Sequence, residues 1–313
     1  MRRAQRGMAL ITAVVLVAIA TVLATAIGFA SALAARRAAN MYGADQSLLA
    51  AEGAEALAAY VLKQTISSGN SSQVVSLDQP WAQPYGPLPL AADVTLEFAQ
   101  IEDQQGKFNI NNLADGGPTD PQSLAVFQRL LALVGLETKW AGIIADWVDA
   151  DSQPNFPDGA EDNDYLGQTP QYRTANLPVT SISELLALPG FGRQRYTALA
   201  PYIAALPPGT MINICTAPGV VLDALSGKTE YSTNPQDLAS ARQKGCFPTP
   251  AVFQQSLTQG QQQQKYNATG TQTNYFQLRS FITIGSARFS LYSLLYLDGA
   301  GNIRPILRTF GTE

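Results

Sequence analysis

Residues 8–20 read Met8-Ala9-Leu10-Ile11-Thr12-Ala13-Val14-Val15-Leu16-Val17-Ala18-Ile19-Ala20, and the apolar run continues through Leu23, Ile27 and Phe29 to Leu33. No charge falls between Gly7 and Ala35, whereas Arg2, Arg3 and Arg6 precede the run and Arg36 and Arg37 follow it. At about 1.5 Å of rise per residue, such a helix outspans the roughly 30 Å hydrocarbon core of a bilayer. It is also too long for the apolar core of a secretory signal peptide, which is about 7–15 residues. Helical spacing does not stop there: Ala34, Ala38, Met41, Leu48, Leu49, Ala54, Leu57 and Val61 keep it up to Leu62, with charges between them. The pattern predicts one helix over residues 8–65, in the membrane over 8–35 and amphipathic beyond. The arginines hold the N-terminus on the cytoplasmic side, so everything after Arg37 lies across the membrane.

The chain has 313 residues, which leaves room beyond the helix for one large or two small domains. Charged residues are only 14% and His is absent, which excludes imidazole catalysis and His-ligated metals. A net charge of −4 disfavours a nucleic-acid partner. Cys215 and Cys246 lie on the oxidising side of the membrane, where a disulfide between them is expected, two inert thiols being the alternative.

After Leu62 comes a polar loop, Ser67-Ser68-Gly69-Asn70-Ser71-Ser72, extended by Pro80, Pro84, Pro87 and Pro89. Residues 94–101 alternate as a half-buried strand should, and residues 107–113 are expected to return as a second short strand. Helical spacing then takes over at 121–133, 138–148, 183–188, 193–205, 218–225, 235–244 and 249–257. Gly260-Gln261-Gln262-Gln263-Gln264 reads as a mobile polar connection. Strands return at 275–284, 287–297 and 303–310, separated by Gly285-Ser286 and Asp298-Gly299-Ala300-Gly301-Asn302 turns. The expected fold class is α+β, with segments 66–117 and 271–313 forming one sheet domain and 118–270 an inserted all-α domain.

The densest chemistry lies over 146–165, where Asp146, Asp149, Asp151, Asp158, Glu161, Asp162 and Asp164 occur with no Lys or Arg among them. Crowded carboxylates repel unless a cation neutralises them. A solvated acidic loop is the plain reading, but Trp147, Phe156 and Tyr165 thread the segment and Pro154, Pro157 and Gly159 stiffen it. Oxygen donors without soft ligands suit a hard cation taking about 6–8 oxygens, which is Ca²⁺. The register is not that of an EF-hand, because Gly159 comes too late. Acids packed into one short loop also fit chelation better than a glycosidase pair facing a sugar, and no nucleophile constellation appears, so no enzyme is expected.

A second motif, Leu188-Pro189-Gly190-Phe191-Gly192, resembles a helix-hairpin-helix turn, with Ile212-Asn213-Ile214-Cys215-Thr216-Ala217-Pro218 opening another. Such turns can present N–H groups to a phosphate, but Arg193 and Arg195 are the nearby cations and structural use is expected.

Together these parts resemble the type IV pilins and type II secretion pseudopilins. A basic leader over residues 1–7 ending in Gly7, then Met8-Ala9-Leu10-Ile11, implies cleavage between Gly7 and Met8 by a prepilin peptidase and methylation of the new N-terminus. Gly7 suits that role because a residue without a side chain admits close approach to the backbone. Members of the class usually carry Glu at the fifth mature position, where this chain has Thr12. That departure, the acidic run and the large helical insert resemble the K-type minor pseudopilin of the type II secretion system, the GspK family. The resemblance implies a pilin-like fold and calcium held by Asp149, Asp151, Asp158, Glu161, Asp162 and Asp164, as one or two ions. It implies helix-hairpin-helix turns used as scaffold. Cys215 stands where the family usually has Asn, which is consistent with a disulfide to Cys246. It further implies an inner-membrane protein with a periplasmic domain, placed at the pseudopilus tip, where it nucleates or caps the fibre for export of folded proteins. The expected partners are the I-type and J-type minor pseudopilins, then the H-type and major pseudopilins, and secreted substrates. The alternatives are a minor pilin or tip adhesin of a type IV pilus, or, further off, a membrane-tethered DNA-binding protein.

Overall fold

The structure, a computed structural model, describes residues 2–66, 74–91, 93–114, 117–257, 268–285 and 287–311, with side chains from residue 9 onward. The polar loop at 67–72 and the Gln-rich run at 260–264 lie outside the described residues. One 65-residue helix, α1 (Arg2–Ile66), opens the fold. Gly7 and Met8 sit near its start, their side chains among those not described. Its stretch from residue 9 onward is long and apolar enough to cross a membrane, and Leu10, Val14, Leu16, Val17, Ile27 and Phe29 are all exposed. Apolar exposure on every face is what a lipid-embedded helix shows.

Two strands follow, β1 (Leu88–Ala91) and β2 (Val94–Asp103), and the chain then enters the helical part through short 3-10 turns and β3 (Phe108–Asn109). Next come α2 (Pro121–Leu133), α3 (Trp140–Val148), α4 (Asp162–Leu166), α5 (Gly192–Leu199), β4 (Ile203–Ala204) and β5 (Ile212–Asn213). The helices α6 (Gly219–Ser226), α7 (Pro235–Arg242) and α8 (Pro250–Ser256) lead to β6 (Thr269–Gly270). The chain ends on β7 (Tyr275–Ile284), β8 (Ala287–Leu297) and β9 (Ile303–Phe310).

The main sheet is antiparallel in the order β1-β2-β7-β8-β9, with Ile101 opposite Leu278 and Leu278 opposite Ser293. Period-two alternation sends Leu96, Ile101, Phe276, Leu278, Ile282, Leu291 and Leu295 to one face. Against that face α1 lays Ala51, Ala54, Ala58 and Leu62, three alanines that let the helix approach closely. Trp81 closes the end of this core, edge-on to Phe276 at 5.4 Å. Because Leu62 and Phe276 belong to one core, the first and last parts of the chain fold as a single unit.

A second core gathers Phe108, Ile110, Leu113, Phe127, Leu130, Ile144, Leu185, Phe191, Leu222 and Phe253, with Phe108 stacked on Phe127 at 5.1 Å. Here the structure corrects the expectation for 107–113. Those residues do not hairpin with β2; Phe108 and Asn109 pair in parallel with Ile203 and Ala204, and Ile110–Leu113 is a 3-10 turn. The partner of β2 on that side is β1, written in a proline-rich run. Asparagine side chains account for the difference. The Asn109 carbonyl oxygen accepts from Leu206 N at 3.0 Å, and Asn111 donates to Val179 O and Leu206 O. These bonds offer the backbone a non-ladder alternative.

Buried Asp103 joins the two units. Its carboxylate accepts from Asn213 Nδ2 at 2.9 Å, Thr216 Oγ1 at 2.6 Å and Thr273 Oγ1 at 2.7 Å. The disulfide between Cys215 and Cys246, with Cα atoms 4.6 Å apart, ties α6's entry to the segment after α7. In the chain-entropy account, closing a loop of 31 residues contributes about 3–4 kcal/mol.

Candidate metal centre

The acidic segment leaves the C-terminus of α3, and Asp146 in the last turn of that helix organises the loop beyond it. Asp146 is fully buried and accepts from the backbone N–H groups of Asn155 at 3.1 Å and Ala160 at 2.6 Å, and from the Asn155 amide. Gly159 is required here, since a Cβ would overlap Asn155 and the Asp146 carboxylate. The loop therefore wraps around Asp146, which acts as its internal anchor. The expected aromatics split: Trp147 and Tyr165 are buried, with rings 5.2 Å apart, whereas Phe156 is 98% exposed.

Folding brings Asp149, Asp151 and Glu161 together, one oxygen of each lying within 4.8 Å of the others. Asp149 and Glu161 are buried, and each uses a single oxygen for hydrogen bonding. Thr119 Oγ1 donates to Asp149 Oδ2 at 3.0 Å, and Thr174 Oγ1 donates to Glu161 Oε2 at 3.0 Å. Their other oxygens, Asp149 Oδ1 and Glu161 Oε1, are buried without a partner among the described residues. Two orphaned anionic oxygens on the same site are costly in a protein interior unless a cation meets them. Burial, then the charges of Asp151 and Asp146, pushes the Asp149 carboxyl up to about 6. Glu161 is raised as well, again by burial first and then by the neighbouring acids. The donor set, oxygens alone on a loop, fits a hard divalent cation.

The other sequence candidates are placed differently. Asp162 faces Arg173 at 3.2 Å and accepts from Thr174 N at 3.1 Å. Asp164 Oδ2 accepts from Glu161 N at 3.2 Å, so it caps α4. Asp158 is exposed and outside the group. Sequence reading missed Asn176. Its Nδ2 donates to Asp151 O at 2.8 Å, and its Oδ1, like the Tyr165 hydroxyl, is buried without a partner among the described residues. Its backbone is left-handed, at φ 46°, a conformation Asn tolerates better than most residues.

The helix-hairpin-helix turn is committed internally. Arg195 pairs with Glu137 at 2.9 Å, donates to Gly190 O and Phe191 O, and lies over the Trp140 ring. Of the two cations beside the turn, Arg195 thus braces the turn and α3, while Arg193 is exposed.

Comparisons with known proteins agree with this architecture. The family model described as "Type II secretion system (T2SS), protein K" matches residues 106–208. Type II secretion system protein K of Pseudomonas aeruginosa is 34% identical, over 99% of this chain and 94% of that protein. The protein of the same name from Klebsiella pneumoniae is 32% identical, over 99% of this chain and 96% of its own length. A chain in the crystal structure of the GspK-GspI-GspJ complex from enterotoxigenic Escherichia coli has the same fold, with a TM-score of 0.73 at 23% identity, covering 88% of this chain and 100% of that one. A membrane-length helix laid on an antiparallel sheet, a helical unit built into it and this end-to-end likeness lead to one conclusion: the chain belongs to the type II secretion system protein K family.

Proposed function

We propose that this protein is the tip subunit of a pseudopilus, held in the inner membrane by α1 with its folded units in the periplasm, and assembling with I-type and J-type minor pseudopilins. The observation that carries this reading is the shared fold with a chain of a solved GspK-GspI-GspJ complex. A feature of α1 supports it. On the side away from the sheet, Tyr42, Gln46, Leu49, Gly53, Ala56 and Tyr60 recur at alternating steps of four and three residues. Tyr42, Leu49 and Tyr60 are each more than half exposed, and a Cβ on Gly53 would meet nothing. That spacing is the seam of a helix that packs on another helix.

Thr12 supports the terminal position. Its hydroxyl donates to Ala9 O at 3.0 Å within its own helix, so it presents no carboxylate to a neighbouring amine. A subunit without that anionic partner lacks one contact that orders successive subunits in lipid. Processing between Gly7 and Met8 by a prepilin peptidase belongs to the same reading, as do contacts with H-type and major pseudopilins and with exported proteins.

We assign Ca²⁺ to Asp149, Asp151, Glu161 and Asn176. When bound, the ion supplies the positive charge that the converging oxygens lack, and so stiffens the loop between α3 and α4. Its role is structural, holding the helical unit rigid at the fibre end.

Cysteine cross-linking in membranes tests the assembly. A cysteine at Ala56, paired with a cysteine placed in the N-terminal helix of the I-type subunit, should form a disulfide between the two subunits under an added oxidant, and Gly53→Trp should abolish the adduct. Adducts formed only between copies of this chain would overturn the tip reading.

A further inference from the structure

Every carboxylate of the metal group has one oxygen already claimed from within the fold. Thr119 Oγ1 lies 3.0 Å from Asp149 Oδ2, and Thr174 Oγ1 lies 3.0 Å from Glu161 Oε2. On Asp151, Oδ1 accepts from Gln153 N at 2.7 Å. One oxygen on each acid is left, and on Asp149 and Glu161 it is buried without a partner among the described residues.

The neighbours of each threonine fix where its proton goes. A hydroxyl has one proton to donate and lone pairs to accept with. Thr119 Oγ1 accepts from Asn155 Nδ2 at 2.7 Å, so its own proton is left for Asp149. Asn155 is itself held, its backbone N–H donating to Asp146 Oδ1 at 3.1 Å. The residue after Thr119 is pinned as well: Asp120 N donates to Leu113 O at 2.7 Å, and the Asp120 side chain caps α2. Thr174 Oγ1 also lies 3.2 Å from Asp162 Oδ1, but that oxygen receives the Thr174 N–H at 3.1 Å. The other Asp162 oxygen meets Arg173, so the nearer Glu161 oxygen takes the threonine proton. Thr119 precedes α2 and Thr174 follows α4, so the two donors reach the acids from separate segments, both outside the acidic run.

We propose that Thr119 and Thr174 are positioning residues for the cation, each turning its carboxylate so that a single oxygen meets the ion. The inference rests on the assignment of the ion to this group. A carboxylate can offer a hard cation one oxygen or two. A hydroxyl on Asp149 Oδ2 and another on Glu161 Oε2 select the one-oxygen mode, as the Gln153 N–H does on Asp151. The side chains then supply fewer than the roughly 6–8 oxygens that calcium takes, and backbone carbonyls and water complete the set. Partners of this outer kind orient metal ligands without touching the metal.

The test is infrared difference spectroscopy of the full chain in detergent micelles, with and without calcium. The separation between the antisymmetric and symmetric carboxylate stretches is wider for a one-oxygen contact than for a two-oxygen contact. The natural chain should show only the wide separation. Thr119→Val and, separately, Thr174→Val keep the side-chain shape without the hydroxyl, and each should add a narrow-separation pair of bands. Thr119→Ser and Thr174→Ser keep the hydroxyl and should retain the natural spectrum. A narrow pair in the natural chain overturns the proposal, and that arm needs no variant to fold. Valine variants that take up calcium with the natural spectrum also overturn it, and would reduce the two threonines to packing. A natural chain with no calcium-dependent band and no heat on titration with calcium would overturn the metal reading itself, and this inference with it.

Discussion

Arg308 on β9 grips Glu55 on α1, with Nη2 2.6 Å from Oε2 and Nε 2.8 Å from Oε1. Ser293 on β8 adds a hydroxyl to Glu55 Oε1 at 2.6 Å. The Glu55 side chain is 6% exposed and that of Arg308 39%, so the pair is anchored on its acidic side. It fixes where the membrane helix meets the sheet. Arg308→Met should leave Glu55 buried without its cation and cost about 2–3 kcal/mol, less than a fully buried pair because the guanidinium keeps contact with water. Glu55→Gln added to it should recover part of the loss. Chemical denaturation of the two variants checks both values.

The metal assignment separates acids that the sequence could not. Asp149→Asn and Glu161→Gln each remove a charge from the buried group and should weaken calcium binding by at least about tenfold. Asp158→Asn, at an exposed position outside that group, should leave affinity within about twofold. Isothermal titration of the chelator-treated protein with calcium makes the comparison.

Asn176 is tested by changing side chain and backbone separately. Asn176→Gly keeps the left-handed conformation relaxed, so its loss of calcium affinity reports the missing side chain, its oxygen together with its bond to Asp151 O. Asn176→Ala should lose the same affinity and, in addition, melt at a lower temperature with the ion absent, from backbone strain of about 1 kcal/mol. Equal affinity for the natural chain and Asn176→Gly would remove Asn176 from the ligand set.

Protons compete with the ion because of the same burial. The Asp149 carboxyl sits at about 6 in the fold, against 3.8 in the unfolded chain. Between those values the folded state holds the extra proton, so this group's contribution to ion-free stability falls as pH rises through the window. Calcium needs the ionised form, so its affinity should fall as pH drops below about 6. Calorimetry in buffers of different ionisation enthalpy should detect proton release on calcium binding near pH 6 and little at pH 8.

Where local pattern and tertiary packing agree, the sequence was readable. The long helix, α2 and the closing strands carry their periodicity openly, and Tyr275–Ile284, Ala287–Leu297 and Ile303–Phe310 lie where alternation puts them. Residues 107–113 misled because Asn109 and Asn111 bond to segments far along the chain, which spacing cannot reveal. The strand β1 was hidden because Pro89 sits within it, a residue tolerated on an edge strand. In the acidic loop the crowding of carboxylates was legible but the separate hydrogen bonds each one makes were not. Of the candidate ligands, Asp162 meets Arg173 and Asp164 caps α4, while Asp146, outside that candidate set, anchors the loop. Asn176 carries no charge and lies beyond the acidic run, so only its unpartnered oxygen exposes it.

The most direct measurement is of mass. The full chain in detergent, mixed with the I-type and J-type minor pseudopilins of the same organism, should form a stoichiometric ternary complex by light scattering. Chelating calcium should dissolve or weaken that complex if the acidic loop holds the assembling form. A chain that remains alone with calcium present would contradict the tip role at its centre.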